Sequence, residues 1–499
     1  MSTLTDRLRR VSATAETTSD KDVHAVLADV LAQAGMTVED AGGTVSFTGA
    51  DPIVPSTLRL GTAAGVGLVA KSVAMAAVWR HRTGEGQDVS MDLRVAPHRL
   101  CPFYDKRWEL LGGYPPTSTS EPRSAMAFTF YRTADDRWVL PQNMYPGLRT
   151  SALELLDAPD TRTAIGNALA QWKATELEEA AAQAGIVMPV LRTLDEFLDE
   201  EHYRQGLADL PLIEIERIGD SGPEPFTDAP TDPLDGIRAL GMGKVIAGAG
   251  TGRTLALHGA DVLNLWRPTE HEHENVYYTA NTGVRSALLD VNADDGRKRL
   301  HHLLRGADVF YHNRRPALID RLGLGAAEVA ALRPGIVHTT VSLHGTRGPW
   351  AGRPGFDQTA GAVTGMMLLE GDRDRPRLPP IMVVNDYLVP WLATVGITRA
   401  LLLRAQHGGS YRVHVSLTRV ALWILSLGIL DKNWAHATAG SSEQHQYLDP
   451  ETFQADTPCG TYQGVTDQVV MSRTPGRYRT LLVPRGSSRA EWLATNGLA

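Results

Sequence analysis

Two short stretches concentrate residues with which chemistry could be done. "IAGAGTGRTL" (246–255) carries Gly248, Gly250 and Gly252 in a G-x-G-x-G pattern behind an apolar segment. A dinucleotide-binding turn needs G-x-G-x-x-G, so that a helix N-terminus meets a pyrophosphate, and an acidic ribose ligand about twenty residues on. Arg253 occupies the third glycine position, and the second strand runs out at Trp266 and Arg267 without the acid. The glycines are instead expected to let a helix approach a sheet closely. "TEHEHENVYY" (269–278) gathers His271, Glu272, His273 and Glu274. Zinc hydrolysis would need H-E-x-x-H, and Asn275 stands where the second histidine belongs. A solvated loop is expected there, and no metal site. No G-x-S-x-G elbow and no Walker loop occurs.

Composition narrows the partners. The 499 residues carry a net charge of −8 and a pI of about 6.1. That balance argues against nucleic acid or an anionic membrane as the main partner, while leaving room for a local basic pocket. Cys101 and Cys459 give neither a disulfide framework nor a zinc ligand set. The first twenty residues lack the apolar core of a signal peptide. The longest apolar run, "VALWILSLGIL" (420–430), is too short for a bilayer and is expected to be a buried helix. A cytoplasmic protein is expected.

The elements that must position any site include a repeat. "AVWRHRTGEGQDVSMDL" (77–93) and "LLLRAQHGGSYRVHVSL" (401–417) superpose without a gap, 324 residues apart. In each, an apolar helix ends in Arg80 or Arg404, a turn follows at Gly84 or Gly408, and an alternating strand comes next. Residues 1–40 look helical, and the small-residue run 61–80 should pack closely against neighbours. Between 101 and 232, "AFTFYRTADDRWVLP" predicts a hairpin, with amphipathic helices around 147–170 and 174–185. Thr193 and Glu196 form a capping box, and "PLIEIERIGD" reads as a further strand. Residues 219–233, rich in Pro, Gly and Asp, are the best linker. From 234 to 420 strand and helix alternate, which implies a largely parallel sheet with helices on both faces. The last 70 residues look irregular.

Several stretches, taken in order, resemble one family. They are "PLDGIRAL" (233–240), "ADVFYHNRRPALIDRLG" (307–323), "RPGIVHTTVSLHGTRGPWAGRPGFDQTAG" (333–361) and "VVNDYLVPW" (383–391). Together with the terminal helix–strand unit they are similar to the class III CoA-transferases, the CaiB/BaiF family. That family includes formyl-CoA transferase, carnitine CoA-transferase and the α-methylacyl-CoA racemases. Residues 61–232 resemble the second half of a member, and residues 233–420 the first half running on into a second copy of the helix–strand unit. The chain thus resembles a permuted arrangement of about one and a half copies.

The resemblance implies an α/β fold with a Rossmann-like parallel-sheet CoA-binding domain and a smaller α+β domain. The expected divisions are 1–100 (helical segment and partial repeat), 101–232 (small domain), 233–430 (CoA-binding catalytic domain) and 431–499 (extension). The family's nucleophile is an aspartate that opens the post-strand helix. Eighteen residues before Arg404 stands Asp386; eighteen before Arg80 stands Thr62. One active site, at Asp386, is therefore implied; on its own, Asp386 would read as a helix N-cap. CoA would pass from an acyl-CoA donor to a carboxylic acid acceptor through a mixed anhydride and an aspartyl-CoA thioester. Backbone N–H groups by Asn385 and Asp386 are expected to stabilise the tetrahedral intermediates.

By the same resemblance Val245, Ile246 and Ala247 follow the pantetheine arm. Arg267 meets the adenosine end. Asn313, Arg314, Leu318, Arg321 and Leu322 grip the nucleotide and pantetheine; on the residues alone Arg314 and Arg315 read equally as a solvated pair. CoA or acyl-CoA enters as substrate, with no permanently bound cofactor, and a homodimer is implied. Three departures stand out. Phe356 replaces the proton-transferring histidine of the racemases, leaving Asp357 as a second carboxylate. The Gly-rich covering loop has no counterpart in 101–232. Asn385 precedes the nucleophile where a small residue is common. Alternatives to the transferase are an acyl-CoA racemase or epimerase and a non-catalytic acyl-CoA-binding protein.

Overall fold

A computed structural model describes residues 3–116 and 125–493. Its centre is a seven-stranded sheet. In spatial order the strands are Glu214–Gly219, Ser410–Ser416, Val337–Ser342, Val309–His312, Arg238–Met242, Asp261–Trp266 and Arg285–Leu288. Every neighbouring pair is parallel except the first, where Glu214–Gly219 runs antiparallel to Ser410–Ser416. This is the α/β architecture implied by the alternation. Successive residues serve opposite faces, as the pleat requires. Ala239, Val309 and Val337 belong to one apolar core, and Leu240 and Phe310 to the other. The second core is covered by the helices Asp294–Arg305, Pro316–Leu322 and Ala326–Leu332.

On the opposite face lie the helices Ala249–Leu257 and Asn385–His407, here called the glycine helix and the aspartate helix. The glycines are used for close approach. A Cβ on Gly252 would come within 2.1 Å of the Tyr311 hydroxyl on the sheet, and one on Gly250 within 3.0 Å of Pro390 on the aspartate helix. The helix Leu60–Thr83 packs on the same side, and at Gly67 an added Cβ would stand 2.8 Å from Leu388 and 3.1 Å from Trp391.

The repeat is built twice in three dimensions. Gly84, at φ 79°, caps one helix with its N–H on the Arg80 carbonyl; Gly408, at φ 67°, does the same for Arg404. Each following strand finds a parallel partner: Val89–Asp92 on Val45–Thr48, and Ser410–Ser416 on Val337–Ser342. Arg404 is buried and pairs with Asp308 at 2.8 Å, which ties the end of the aspartate helix to the sheet. Arg80, in contrast, is exposed and donates to the Glu39 carbonyl.

Other expectations meet the structure with some changes. The hairpin pairs Tyr131–Arg132 with Trp138–Val139, and the Thr193–Glu196 capping box is present. The stretch 147–170 is two helices, Pro146–Leu156 and Arg162–Leu169, because the chain turns left-handed at Asp157 and Pro159 follows. "PLIEIERIGD", placed with the small domain in the sequence, supplies the edge of the main sheet instead. Its Glu214 and Glu216 pair with Arg412 on the neighbouring strand. The last 70 residues are not wholly irregular. A hairpin, Thr452–Thr457 with Gly460–Val465, is followed by Val469–Met471, which pairs with Val89–Asp92.

Close helix–sheet contact gives a direct test. Gly252→Ala should lower stability by about 1–3 kcal/mol, since overpacking at this scale forces neighbours off their rotamers. Gly147→Ala, on an exposed helical turn with open space around it, should raise stability by about 0.5–1 kcal/mol. Denaturant midpoints compare the two; equal effects would mean that the glycine helix does not need its closeness.

Candidate active site

The aspartate helix begins in a buried corner. Asp386 is 6 % exposed, in the first turn, and Asp357 is 4 % exposed at the start of the helix Asp357–Thr364. The Asp357 carboxylate Oδ2 accepts the backbone N–H of Val384 at 3.0 Å and of Asp386 at 2.8 Å. The free N–H groups of a helix start favour an anion there. Pro390, four residues on, has no N–H to give the Asp386 carbonyl.

Two carboxyl groups now share a dry site. Burial, then the charge of Asp357, pushes Asp386 well above the usual carboxylate range. Burial raises Asp357 to about 6, against the helix-start N–H groups that favour its charge. The backbone groups expected to bind an oxyanion are thus already engaged by Asp357. The reason is plain: a buried carboxylate beside a helix start takes the nearest donors. The Asn385 amide nitrogen lies 3.5 Å from the Asp357 carbonyl, and its amide oxygen is buried with no hydrogen-bond partner.

Beside this corner stands Tyr145, at the start of the helix Pro146–Leu156. Its ring stacks on Phe356 at 5.7 Å, and its hydroxyl donates to Glu272 at 2.5 Å. Burial, then Glu272, pushes the phenol up, and Asp386 adds to the effect. The other Glu272 oxygen accepts the N–H of Val245 at 2.9 Å. His271 and His273 pack around the same ring, at 6.0 and 4.8 Å. "TEHEHE" is therefore not a solvated loop. Glu270 and Glu272 are buried because the cations, Tyr145 and the Val245 N–H satisfy their carboxylates, and His273 is buried against the Tyr145 ring.

Those cations surround Glu270, whose side chain is 1 % exposed. Arg314 forms an ion pair with it, Arg267 lies 3.6 Å away and Lys244 3.7 Å. Burial works against its ionisation, but Arg314 and then Lys244 hold Glu270 down to about 2. Lys244 also sits 4.7 Å from the Tyr145 ring centre, a cation–π contact. Asn313 clamps the Lys244 backbone from both sides: its amide oxygen accepts the N–H at 3.0 Å, and its amide nitrogen donates to the carbonyl at 2.8 Å. From the C-terminal extension Arg485 donates to the Glu270 carbonyl and lies over Trp266.

The candidate residues fall into three groups. Arg267, Arg314 and Leu318 line one small cavity of about 10 Å³, together with Met242, Leu265 and Trp266. Val245 and Asn313 lie between this cavity and Tyr145 through the contacts above. Ile246 and Ala247 are in the main core, Leu322 is in the second core, and Arg321 is exposed on the same helix. Tyr145, Lys244, Glu270, Glu272 and Arg485 were not among the sequence candidates. Only Glu270 and Glu272 carried a local signal, as carboxylates on either side of His271, close after Arg267.

Comparison with known proteins identifies a family. The model of "CoA-transferase family III" matches residues 25–208 and 234–479. Among curated relatives, "Acetyl-coenzyme A transferase nodX" of Hypoxylon pulicicidum is 28 % identical over 335 residues, 62 % of this chain and 56 % of the other. "Formyl-CoA:oxalate CoA-transferase" of Streptomyces avermitilis is 29 % identical over 213 residues, 40 % of this chain and 52 % of the other. The chain thus spans about half the length of these relatives. A solved CAIB/BAIF family protein from Brucella suis is 24 % identical, with a TM-score of 0.37, over 46 % of this chain and 65 % of that one. The two matched segments take in most of the sequence, and the chain belongs to CoA-transferase family III.

Proposed function

We propose that the protein transfers CoA from an acyl-CoA to a carboxylic acid, with Asp386 as the nucleophile. The reading is carried by one observation: a buried carboxylate opens a helix beside a second carboxylate, next to a cluster of cations around Glu270. Membership of the family supports the same chemistry.

In this mechanism ionised Asp386 attacks the thioester carbonyl. The C–S bond breaks, CoA leaves as the thiolate, and an acyl–aspartyl anhydride remains. The thiolate then attacks the aspartyl carbonyl and expels the donor acid, leaving aspartyl-CoA. The acceptor carboxylate attacks that thioester, and the returning thiolate cleaves the second anhydride, freeing Asp386. Neither a redox step nor a net proton is needed. Arg267, Arg314 and Lys244 would meet CoA phosphates, with Arg suited to bidentate pairing. The Val384 and Asp386 N–H groups, now held by Asp357, would become oxyanion donors where Asp357 gives them up to the tetrahedral intermediate. Phe356, stacked on Tyr145, has no proton to move, which counts against racemisation.

Two outcomes are expected. Incubation with acyl-CoAs should give a CoA-sized adduct on the peptide bearing Asp386, removed by hydroxylamine. Asp386→Ala should abolish the adduct and cost at least ~10³-fold in turnover. Tight CoA binding without any adduct would instead favour a binding protein, and deuterium uptake at the α-carbon of a 2-methylacyl-CoA a racemase. The pH profile is the second outcome. Attack needs the ionised carboxylate, and both burial and Asp357 raise its pKa. Activity should therefore rise with pH along a limb above the ordinary carboxylate range. In Asp357→Asn that limb should move to lower pH, because the repelling charge is gone. A limb that stays in place would remove Asp357 from the account.

A further inference from the structure

The covalent intermediates proposed for Asp386 are open to water as well as to an acid, so a transferase has to keep water out of the corner. One distant segment closes on that corner through direct contacts. It is residues 142–145, of which Gln142, Asn143 and Tyr145 are buried. Asn143 anchors it from behind: its amide nitrogen donates to the Val187 carbonyl at 2.9 Å, and its amide oxygen accepts the Val187 N–H at 2.9 Å. Gln142 reaches forward. Its amide nitrogen donates to the Gln358 Oε1 at 2.8 Å, and its amide oxygen accepts the Thr359 hydroxyl at 2.7 Å. Both partners belong to the helix Asp357–Thr364. Gln358 in turn donates to the carbonyl of Met382, on the approach to Asp386, at 2.9 Å. Thr359 accepts the Phe356 N–H at 3.0 Å.

Tyr145 ends the segment and is fixed on two sides. Its ring lies 3° from parallel to Phe356 at 5.7 Å. Phe356 immediately precedes Asp357, whose carboxylate accepts the Asp386 N–H at 2.8 Å. The Tyr145 hydroxyl donates to Glu272, which also accepts the N–H groups of Val245 at 2.9 Å and His273 at 3.1 Å. Three donors thus hold the catch in place. We propose that Tyr145 is a positioning residue that bars water from Asp386: stacked on Phe356 and latched to Glu272, it reserves the aspartyl intermediates for a carboxylic acid. An acid brings binding energy with which to displace the ring, and water brings none. Where the latch is lost, water adds to the aspartyl carbonyl of aspartyl-CoA. The C–S bond then breaks, the thiolate leaves with one proton of the water, and the oxygen stays on Asp386 with the other. The selection of acid over water rests on the transferase reading; the closure of the corner does not.

The experiment uses the full chain and has two readouts. The first is access: the rate at which a water-soluble carbodiimide with glycinamide labels the peptide bearing Asp386. Tyr145→Phe keeps the stack and loses the latch. It should label at least ~10-fold faster than the native protein, about the effect on an opening equilibrium of losing a hydrogen bond to a buried charge. Tyr145→Ala should label faster still. The second readout is chemistry, with acetyl-, butyryl-, succinyl- and benzoyl-CoA as donors, each against the acids of the other three. The ratio of thiol release without acid to CoA transfer with acid should also rise at least ~10-fold in Tyr145→Phe. In heavy-oxygen water the label should enter the Asp386 peptide. A merely structural tyrosine would slow both rates together and leave the ratio unchanged. If labelling follows this pattern but no CoA is transferred, the cover stands and the transferase reading fails. If CoA is transferred and either the labelling or the ratio stays the same in Tyr145→Phe, the transferase reading stands and the cover is overturned. Unchanged labelling without any transfer sinks both. A Tyr145→Phe that does not fold also overturns the cover, because the hydroxyl would then be structural.

Discussion

The active-site corner depends on the bonds between the Asp357 carboxylate and the start of the aspartate helix. Two carboxyl groups in a dry site repel each other, and burial penalises the charge of each. The backbone N–H groups of Val384 and Asp386 make the arrangement tolerable, because they supply the partial positive charge of a helix start to Asp357. That leaves Asp386 as the less compensated of the two. A poorly solvated carboxylate is the better nucleophile once ionised. The far end of the same helix is fixed by Arg404 on Asp308, so the corner is held by both termini of one rigid element.

The N-terminal copy isolates what is structural in this device. Its helix Leu60–Thr83 also starts against a buried carboxylate: Asp51 accepts the N–H of Gly61 at 3.0 Å and of Thr62 at 2.7 Å. Thr62 stands where the other copy has Asp386. The capping carboxylate is therefore present whether or not a second carboxylate follows it. Capping serves the helix, and on the transferase proposal reactivity would come from adding Asp386 to an already capped start. The two helices cross where Gly67 meets Leu388 and Trp391, just past the reactive end, so the copy without the aspartate forms part of the wall behind the copy that has it.

What the sequence made legible was local. The helix–glycine–strand unit, the hairpin at Asp135 and Asp136, the Thr193 capping box and the close-packing glycines all depend on spacings of a few residues, and each is present in the fold. Of the candidate residues, Asp386 with Asp357, and Arg267 with Arg314 and Leu318, are brought together. Partners distant in the chain were not legible. Tyr145 lies 127 positions before Glu272, and Arg485 lies 215 after Glu270. The "TEHEHE" segment shows why: a run of charges looks solvated unless the residues that neutralise it are known, and those come from other elements.

Glu270 ties these distant pieces together. In a chain of net charge −8, Arg267, Arg314 and Lys244 converge on one point. Without an anion they would repel one another at close range, and Lys244, already pulled down by burial, would bear most of the cost. Two buried carboxylates, Glu270 at the centre and Glu272 beside Lys244, hold them in place and leave the cluster with an excess of positive charge. Glu270 pre-organises the cations while satisfying only part of their demand, and on the transferase proposal a CoA phosphate at Arg267, the most exposed of the three contacts, would find them already aligned.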